Sequence, residues 1–310
     1  MTPAEGFSSA RLLPVHREGP EDVLVDAAGG VLTGLADGRV VRVDSSTGEV
    51  RTVATVPGRP LGLEFLGPDE LLVCASDAGL LAVPVTGGPV RTLVDRFEGR
   101  RLGAVNNAAV AGDGTVYFSD SSTRFPIPQW RADLVQRTRS GRLFRRDPDG
   151  TVTELLGGLE FANGVALSGD GSFVAVAETG ARRIRRVWLD GPRRGTDDVL
   201  AEELWGYPDN IALGSDGLIW VALASPRVAA LDVVLRLPAA LRAVVRRLPQ
   251  RLQPAPDPAV GLVALDAGGR VVEQRTGLLD GFGMLTGVRE SAGTLWLGSL
   301  TADRVATLPR

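Results

Sequence analysis

The feature that most constrains the fold is a sequence unit that recurs six times along the chain. Each copy has a short run of alternating apolar residues, a turn rich in Gly and Asp, and a second β-like run, as in "NGVALSGDGSFVAV" at 163–176. Third and fourth strand candidates follow several copies. The copies open, at intervals of 40, 45, 57, 46 and 77 residues, at Glu21, Leu61, Asn106, Asn163, Asp209 and Thr286. Four strands per unit at this period predict an all-β fold, a six-bladed β-propeller.

The two ends of the chain are expected to complete the ring together. Only 25 residues run from Thr286 to the C-terminus, which is room for about three strands. The segment "ARLLPV" near the N-terminus could supply the missing outer strand and leave no exposed edge. We therefore predict a single propeller domain over residues 1–310. A β-helix or a pair of packed sandwiches is the alternative, but the spacing fits both less well.

The 77-residue interval contains a helical pattern in an otherwise β-like chain. In "VAALDVVLRLPAALRAVVRRLPQRL", residues 228–252, apolar residues recur at helical spacing with arginines between them. Pro238 and Pro249 should break or begin helical segments. The pattern predicts a helical insertion at about 228–257, in the fifth blade and at one mouth of the propeller. An excursion packed on a blade, a substrate lid and a segment that docks on a membrane surface all remain open for it.

Composition excludes several kinds of site. The net charge of −3 and a sequence pI near 5.4 give no basic footprint for nucleic acid. One cysteine, Cys74, excludes an internal disulfide and a cysteine zinc cluster, and one histidine, His16, excludes a site that needs two. The sequence contains neither a signal-peptide pattern at its start nor an apolar stretch long enough for a transmembrane segment. These features predict a cytoplasmic protein and leave its oligomeric state open.

The residue that opens each unit should face the central channel, because the innermost strand of every blade lines it. Four of the six aligned residues carry oxygen ligands: Glu21, Asn106, Asn163 and Asp209. Two carboxylates and two amide carbonyls, without sulfur or imidazole, suit Ca²⁺ better than Mg²⁺. Each residue alone could instead cap a turn. Two otherwise uncompensated acids at the same repeat position favour a Ca²⁺ site in the channel.

Motifs along the chain resemble those of the strictosidine synthase-like proteins, six-bladed propellers related to paraoxonases and to the gluconolactonase/regucalcin group. The motifs are "YFSDSS" at 117–122, "FANGVALSGDG" at 161–171, "VAETGARRIRRVWLDG" at 176–191 and "GYPDNI" at 206–211. The resemblance covers nearly the whole chain and is strongest from about 100 to 225. It implies the same four calcium ligands, Glu21, Asn106, Asn163 and Asp209, and it adds Asn210 as a further ligand.

Three positions depart from the pattern of these relatives. Paraoxonases use a histidine pair, whereas this chain has only His16. Strictosidine synthase carries a catalytic glutamate in its last blade, where this chain has Thr286, so the resemblance does not extend to its amine-condensing activity. Asn107 stands where relatives often carry Asp, which would weaken a second, structural calcium site.

The leading functional hypothesis is a calcium-dependent hydrolase that acts on a lactone or an ester-like small molecule. Ca²⁺ would polarise the substrate carbonyl, with Asp209 and Glu21 as the catalytic carboxylates. The sequence leaves open whether a water bound in the site or Asp209 itself is the nucleophile or base. A cyclase or condensing enzyme of secondary metabolism, and a non-catalytic propeller that binds a partner, are the alternatives.

Overall fold

Six antiparallel sheets surround a central axis in the computed structural model, which describes residues 4–310. The first strand of each sheet packs against the first strands of the two neighbouring sheets and thereby closes a ring. Within each sheet the strands follow one another outward in chain order. The predicted six-bladed β-propeller is therefore confirmed, and its blades are numbered here in chain order.

Blades 1 to 3 each contain four strands. From the axis outward they are Val23–Val25, Val31–Gly34, Arg39–Val43 and Val50–Thr55 in blade 1; Pro60–Gly67, Glu70–Ala75, Gly79–Pro84 and Arg91–Val94 in blade 2; and Val105–Val110, Val116–Asp120, Gly141–Arg146 and Val152–Leu159 in blade 3. A small hairpin of Arg96–Phe97 and Arg100–Arg101 lies between blades 2 and 3.

Blades 4 to 6 follow the same plan, with additions from the N-terminal region. The chain-order strands are Ala162–Leu167, Phe173–Glu178, Arg183–Trp188 and Asp197–Ala201 in blade 4; Gly206–Leu213, Ile219–Pro226, Val260–Leu265 and Val271–Gly277 in blade 5; and Leu285–Ser291, Thr294–Ser299 and Arg304–Pro309 in blade 6.

The N-terminal region closes the ring. Strand Arg11–Pro14 pairs antiparallel with Arg304–Pro309 and forms the outer strand of blade 6, with Leu13 opposite Val305. The predicted role of the "ARLLPV" segment is thus confirmed. Strand Ala4–Glu5 pairs parallel with Val271–Gly277 and adds a fifth strand to blade 5. Strands near both ends of the described part of the chain are therefore held by sheet hydrogen bonds.

The core lies between adjacent blades. The second strand of each blade is covered on both faces by its neighbours, so strands such as Ile219–Pro226 are continuous apolar runs and do not alternate. Trp220 and Phe118 on these strands are completely buried. The outermost strands are only half buried, as in Val50–Thr55. The polar alternation that marks a surface strand is therefore confined to the rim of the ring.

Short helices lie over one mouth of the channel, in the connections between second and third strands. Blade 3 contributes a 3-10 turn, Ile127–Gln129, and helix α1, Trp130–Gln136; blade 5 contributes α2, Ala229–Leu235, α3, Ala239–Arg247, and a 3-10 turn, Gln250–Leu252. A further 3-10 turn, Gly191–Arg193, lies in blade 4. Helix α1 packs against α2 and α3. We call residues 121–140 and 226–257 together the helical cap.

The two prolines of the insertion bracket α3. Pro238 immediately precedes its first residue and Pro249 follows its last by two residues, as expected for residues that are tolerated only at or beyond helix ends. None of the helices within residues 4–310 has both the length and the apolarity that crossing a lipid bilayer requires.

The closing strand makes a testable contribution to stability. Leu13 is buried with Val23, Val31 and Trp296 between blades 6 and 1, whereas Arg11 on the same strand is exposed. Because a large buried side chain leaves a cavity when truncated, Leu13→Ala should lower the free energy of unfolding by about 2–4 kcal/mol. The melting temperature should fall by several degrees, and Arg11→Ala should leave it unchanged. Equal melting temperatures for the two variants would show that the strand is not part of the cooperative ring.

Candidate functional site

A cavity lies at the axis, beneath the helical cap. Its volume is about 90 Å³. All six residues that open the repeat units line it: Glu21, Leu61, Asn106, Asn163, Asp209 and Thr286. The structure therefore brings together, from six blades, the side chains that the repeat alignment placed at one position. Asn210 does not line the cavity, but it contacts Glu21 from beside it.

A β-bulge in the inner strand positions each of these residues in blades 2 to 6. In blade 3 the pairing between the first and second strands shifts between Val105 and Ala108, and in blade 4 it shifts between Ala162 and Val165. Blades 2, 5 and 6 have a shift at the equivalent place. A bulge leaves extra residues outside the regular ladder and redirects their side chains. The side chain at the repeat position can therefore point at the axis, although the strand on either side of the bulge is paired.

The residue that follows the repeat position alternates between glycine and an Asp or Asn around the ring. Blades 2, 4 and 6 have Gly62, Gly164 and Gly287, and blades 3, 5 and 1 have Asn107, Asn210 and Asp22. A Cβ atom on Gly164 would lie 2.6 Å from Cα of Asn210, and the other two glycines are equally close to Asn107 and Asp22. Glycine is required here because neighbouring inner strands touch backbone to backbone.

Two of the three polar residues in this alternation accept a hydrogen bond from a backbone N–H group of the next blade. The Asp22 carboxylate accepts a hydrogen bond from the backbone N–H of Leu63 at 3.0 Å, and Asn107 Oδ1 accepts one from Val165 at 2.9 Å. Asn107 Nδ2 also donates to Asp22 at 3.3 Å. Asn107 therefore has no unpartnered oxygen to offer to a second cation.

The third residue, Asn210, breaks this pattern. Its Nδ2 donates to Oε2 of Glu21 at 3.3 Å, while its side-chain oxygen is buried without a partner. Asn210 therefore orients one of the two carboxylates of the cavity. The expectation from the motif resemblance, that Asn210 contributes an oxygen to the site, is consistent with this geometry.

Four buried side-chain oxygens within residues 4–310 have no hydrogen-bond partner, and all four belong to this site: Oδ1 of Asn106, Asn163, Asp209 and Asn210. Ser121 Oγ accepts a hydrogen bond from Asn106 Nδ2 at 2.9 Å, and Thr179 Oγ1 accepts one from Asn163 Nδ2 at 3.2 Å. These hydroxyls fix the amide orientations and leave the carbonyl oxygens unpaired. Because an unpaired buried oxygen costs about 1–3 kcal/mol, four in one place indicate a binding site for a ligand that offers hydrogen-bond donors or positive charge.

The electrostatics of the two cavity carboxylates also favour a ligand with positive charge. Burial raises the pKa of Glu21 well above its ordinary range, and the nearby charges of Asp209 and Asp22 raise it further. Burial also raises the pKa of Asp209 to about 8. Two acids in one buried cavity are costly to ionise together without a compensating cation.

The donor set fits a hard cation that accepts amide oxygens. No cluster of three or more His, Cys, Asp or Glu side chains in the described part of the chain could hold a metal by itself. A cation at the axis would therefore draw on Glu21 and Asp209 and, for its remaining protein ligands, on the amide oxygens of Asn106, Asn163 and Asn210. Oxygen-only sets of this kind are typical of Ca²⁺ sites.

Ser121 and Thr179 are site residues that the sequence analysis did not identify. Each directly follows the acid that ends the second strand of its blade, Asp120 in blade 3 and Glu178 in blade 4. Both acids pair with an arginine on the next strand. An acid followed by a hydroxyl residue recurs at one repeat position, in the "SDS" and "AET" segments, and this pattern could have identified both residues.

Comparison with known proteins places these features in a family. Residues 20–234 match a family model described as the SMP-30/Gluconolactonase/LRE-like region. Strictosidine synthase-like 10 from Arabidopsis thaliana is 35% identical over 333 residues, covering 95% of this chain and 86% of its own length. The resemblance inferred from the motifs is thus confirmed.

Two solved structures share the fold at low sequence identity. A gluconolactonase from Xanthomonas campestris superposes with a TM-score of 0.70 at 18% identity, covering 97% of this chain and 89% of its own. The calcium-binding protein regucalcin from Agrobacterium tumefaciens superposes with a TM-score of 0.67 at 16% identity, covering 96% and 92%.

The buried carboxylate of Asp209, with one oxygen unpaired, predicts an unusual stability effect. In buffer with a chelator, Asp209→Asn should melt at a higher temperature than the unsubstituted protein, because it removes a buried acid whose Oδ1 has no donor. We expect a gain of about 1 kcal/mol in the free energy of unfolding. The matched control is Asp22→Asn, which should destabilise because the carboxylate accepts hydrogen bonds from Val23, Leu63 and Asn107. If both substitutions lower the melting temperature, the interpretation that the buried acid of Asp209 destabilises the protein without a cation is wrong.

Proposed function

This chain belongs to the SMP-30/gluconolactonase/LRE-like family, and we propose that it is a calcium-dependent hydrolase that opens a lactone or cleaves a similar ester. The observation that carries the proposal is a cavity with two carboxylates and three unpaired buried oxygens, on Asn106, Asn163 and Asp209, and with a fourth such oxygen beside it on Asn210. Family membership leaves the reaction open, because related propellers bear different functional names. The assignment therefore depends on the site.

The proposed calcium ligands are the oxygens of Glu21, Asn106, Asn163, Asp209 and Asn210. A bound Ca²⁺ would supply Lewis acidity, which polarises the substrate carbonyl and stabilises the negative charge that develops on its oxygen. Regucalcin from Agrobacterium tumefaciens, a calcium-binding protein with the same fold, supports this choice of ion.

Asp209 is the proposed acceptor of a proton from the attacking water. Its Oδ1 is buried and has no protein donor, whereas Glu21 is held by the amide of Asn210. In the proposed reaction the water oxygen adds to the carbonyl carbon and a water proton passes to Asp209. The ring C–O bond then breaks and Asp209 returns the proton to the departing ring oxygen, which gives a hydroxy acid. The hydrogen bond from Asn210 favours the ionised form of Glu21, whose charge would balance that of the bound cation.

The walls of the cavity favour a substrate with an apolar part. Above the polar base the lining is almost entirely apolar and includes Leu61, Trp130, Leu134, Phe161 and Leu231. A polyhydroxylated sugar lactone would leave several hydroxyl groups against these walls without partners, at a cost for each. We therefore propose alkyl- or aryl-substituted lactones and esters as the preferred substrates over gluconolactone.

The last blade gives an argument against a condensing enzyme of the strictosidine synthase type. Thr286 Oγ1 donates a hydrogen bond to the backbone carbonyl of Glu21 at 2.7 Å. The hydroxyl therefore ties blade 6 to blade 1 and offers no ionisable group to the cavity. This favours hydrolysis, in which the acid–base chemistry rests on Asp209.

The proposal is tested by assaying hydrolysis of γ- and δ-alkyl lactones, aryl esters and gluconolactone, before and after chelation. We expect turnover of the apolar substrates, loss of turnover with chelator, and recovery with Ca²⁺ in preference to Mg²⁺. The melting temperature should fall on chelation and recover with activity, because a ligand that binds only the folded state stabilises it, by roughly 2.7 kcal/mol at a hundredfold excess over Kd.

Two results would overturn the proposal. Absence of chelator-sensitive turnover on the whole panel would argue against the hydrolase. A melting temperature indifferent to chelator, together with no calcium in the untreated protein by elemental analysis, would argue against the axial metal. The combination would favour a propeller that binds a partner without catalysis.

The charges of the ligands predict different behaviour for two substitutions. Asp209→Ala leaves one formal negative charge for a divalent ion and also removes the proposed proton acceptor, whereas Asn163→Ala keeps both carboxylates. We expect a loss of activity of about a hundredfold or more for Asp209→Ala at any calcium concentration. Asn163→Ala should mainly weaken calcium binding and regain activity when calcium is added. Superimposable calcium titrations of activity for the two variants would contradict this division of roles.

A further inference from the structure

The helical cap is the positive pole of an acidic protein. Its two segments, residues 121–140 and 226–257, contain ten arginines and three aspartates, which gives a net charge of +7. The whole chain carries −3, so the remaining residues carry −10. Three further charged side chains, Glu160, Arg182 and Arg183, meet the cap in a neighbouring groove.

The negative pole lies at the opposite end of the propeller. The inner strands begin at the cavity, so the turns that join first to second and third to fourth strands lie away from it. These turns hold aspartates whose pKa is lowered by hydrogen bonds from turn backbone N–H groups: Asp113, Asp149, Asp170 and Asp266. The acids stay charged at neutral pH, and the molecule is polarised along its axis.

The cap also exposes apolar side chains. Nine large hydrophobic residues are exposed within the described part of the chain, and five of them lie in the insertion: Val233, Leu241, Val244, Leu248 and Leu252. Leu241 and Val244 on α3 are 50% and 57% exposed, and no residue of α3 is buried. Packing within this chain therefore does not explain why these positions are apolar.

Arginines without partners accompany these residues. Arg236, Arg247 and Arg251 are exposed, and none forms an ion pair within residues 4–310. On these short helices, leucine and valine side chains alternate with unpaired arginines. Such a surface suits the boundary between lipid head groups and acyl chains, where arginine side chains extend toward the phosphates. A protein partner would instead have to supply a groove that receives α3.

We propose that the helical cap docks on the surface of an anionic membrane. The apolar residues of α3 and of the segment after it enter the head-group region, and the arginines of the cap bind lipid phosphates. Val228, Leu231 and Trp130 of the same cap line the cavity, so docking turns the mouth of the cavity toward the lipid. This inference does not depend on the proposed hydrolysis.

The test is sedimentation of the full chain with vesicles of phosphatidylcholine alone and of equal parts phosphatidylcholine and phosphatidylglycerol. We expect binding only to the anionic vesicles at about 0.1 M salt, and weaker binding at about 1 M salt, where the Debye length falls to roughly 3 Å. The double substitutions Leu241→Ser/Val244→Ser and Arg247→Gln/Arg251→Gln should each reduce affinity by roughly tenfold or more.

Matched controls place the same changes elsewhere on the surface. Val271→Ser/Val272→Ser alters two exposed valines on the outer part of blade 5, and Arg194→Gln/Arg270→Gln removes two positive charges from turns at the negative pole. Both should bind anionic vesicles like the unsubstituted protein, and all variants should keep its melting temperature because the residues are exposed.

Three outcomes would overturn the proposal. The first is no sedimentation with anionic vesicles at low salt, which is also the result expected if an acidic protein were the partner. The second is an equal loss of binding in a control pair. The third is full binding by Leu241→Ser/Val244→Ser, which would reduce the effect to adsorption by charge alone.

Discussion

Everything at the axis depends on how closely six inner strands can approach one another. Adjacent strands meet backbone to backbone at three places, and Gly62, Gly164 and Gly287 supply the contact because a Cβ atom would collide with the neighbouring blade. The opposite partner at each contact is Asn107, Asn210 or Asp22. Glycine on one blade and a short polar residue on the next thus form three matched pairs around the ring.

This arrangement explains why the site is rigid and why some of its buried oxygens lack hydrogen-bond donors. Asp22 and Asn107 satisfy backbone N–H groups of neighbouring blades, so the bulged strands are held where they approach. Asn210 instead faces Glu21, and with Asn106, Asn163 and Asp209 it leaves oxygens unpaired. Buried oxygens that are fixed without donors lower the stability of the folded protein. A bound cation would restore that stability.

The sequence predicted the ring and the residues of its axis because a single repeat position encodes both. Asp209 and Asn163 could be aligned without any structure, since each opens a hairpin of the same pattern. The glycine contacts could not be predicted in the same way, because Gly164 and Asn210 belong to different blades and only ring closure brings them together. The orientation of Asn106 was also not accessible, since it depends on Ser121 across the β-hairpin.

The same architecture separates the chemistry of the axis from the surface of the cap. The insertion leaves blade 5 after Ile219–Pro226 and returns at Val260–Leu265, and these two strands remain paired, with Leu223 opposite Gly261. Gly261 lies against the ring of Trp205, which fixes the point of return. Because both ends of the insertion are anchored in the sheet, its length and composition can change without moving Asp209 on the adjacent inner strand. The axial oxygens and the exposed apolar and basic residues of the cap are therefore independent features of one chain, and each can be altered experimentally while the other is kept.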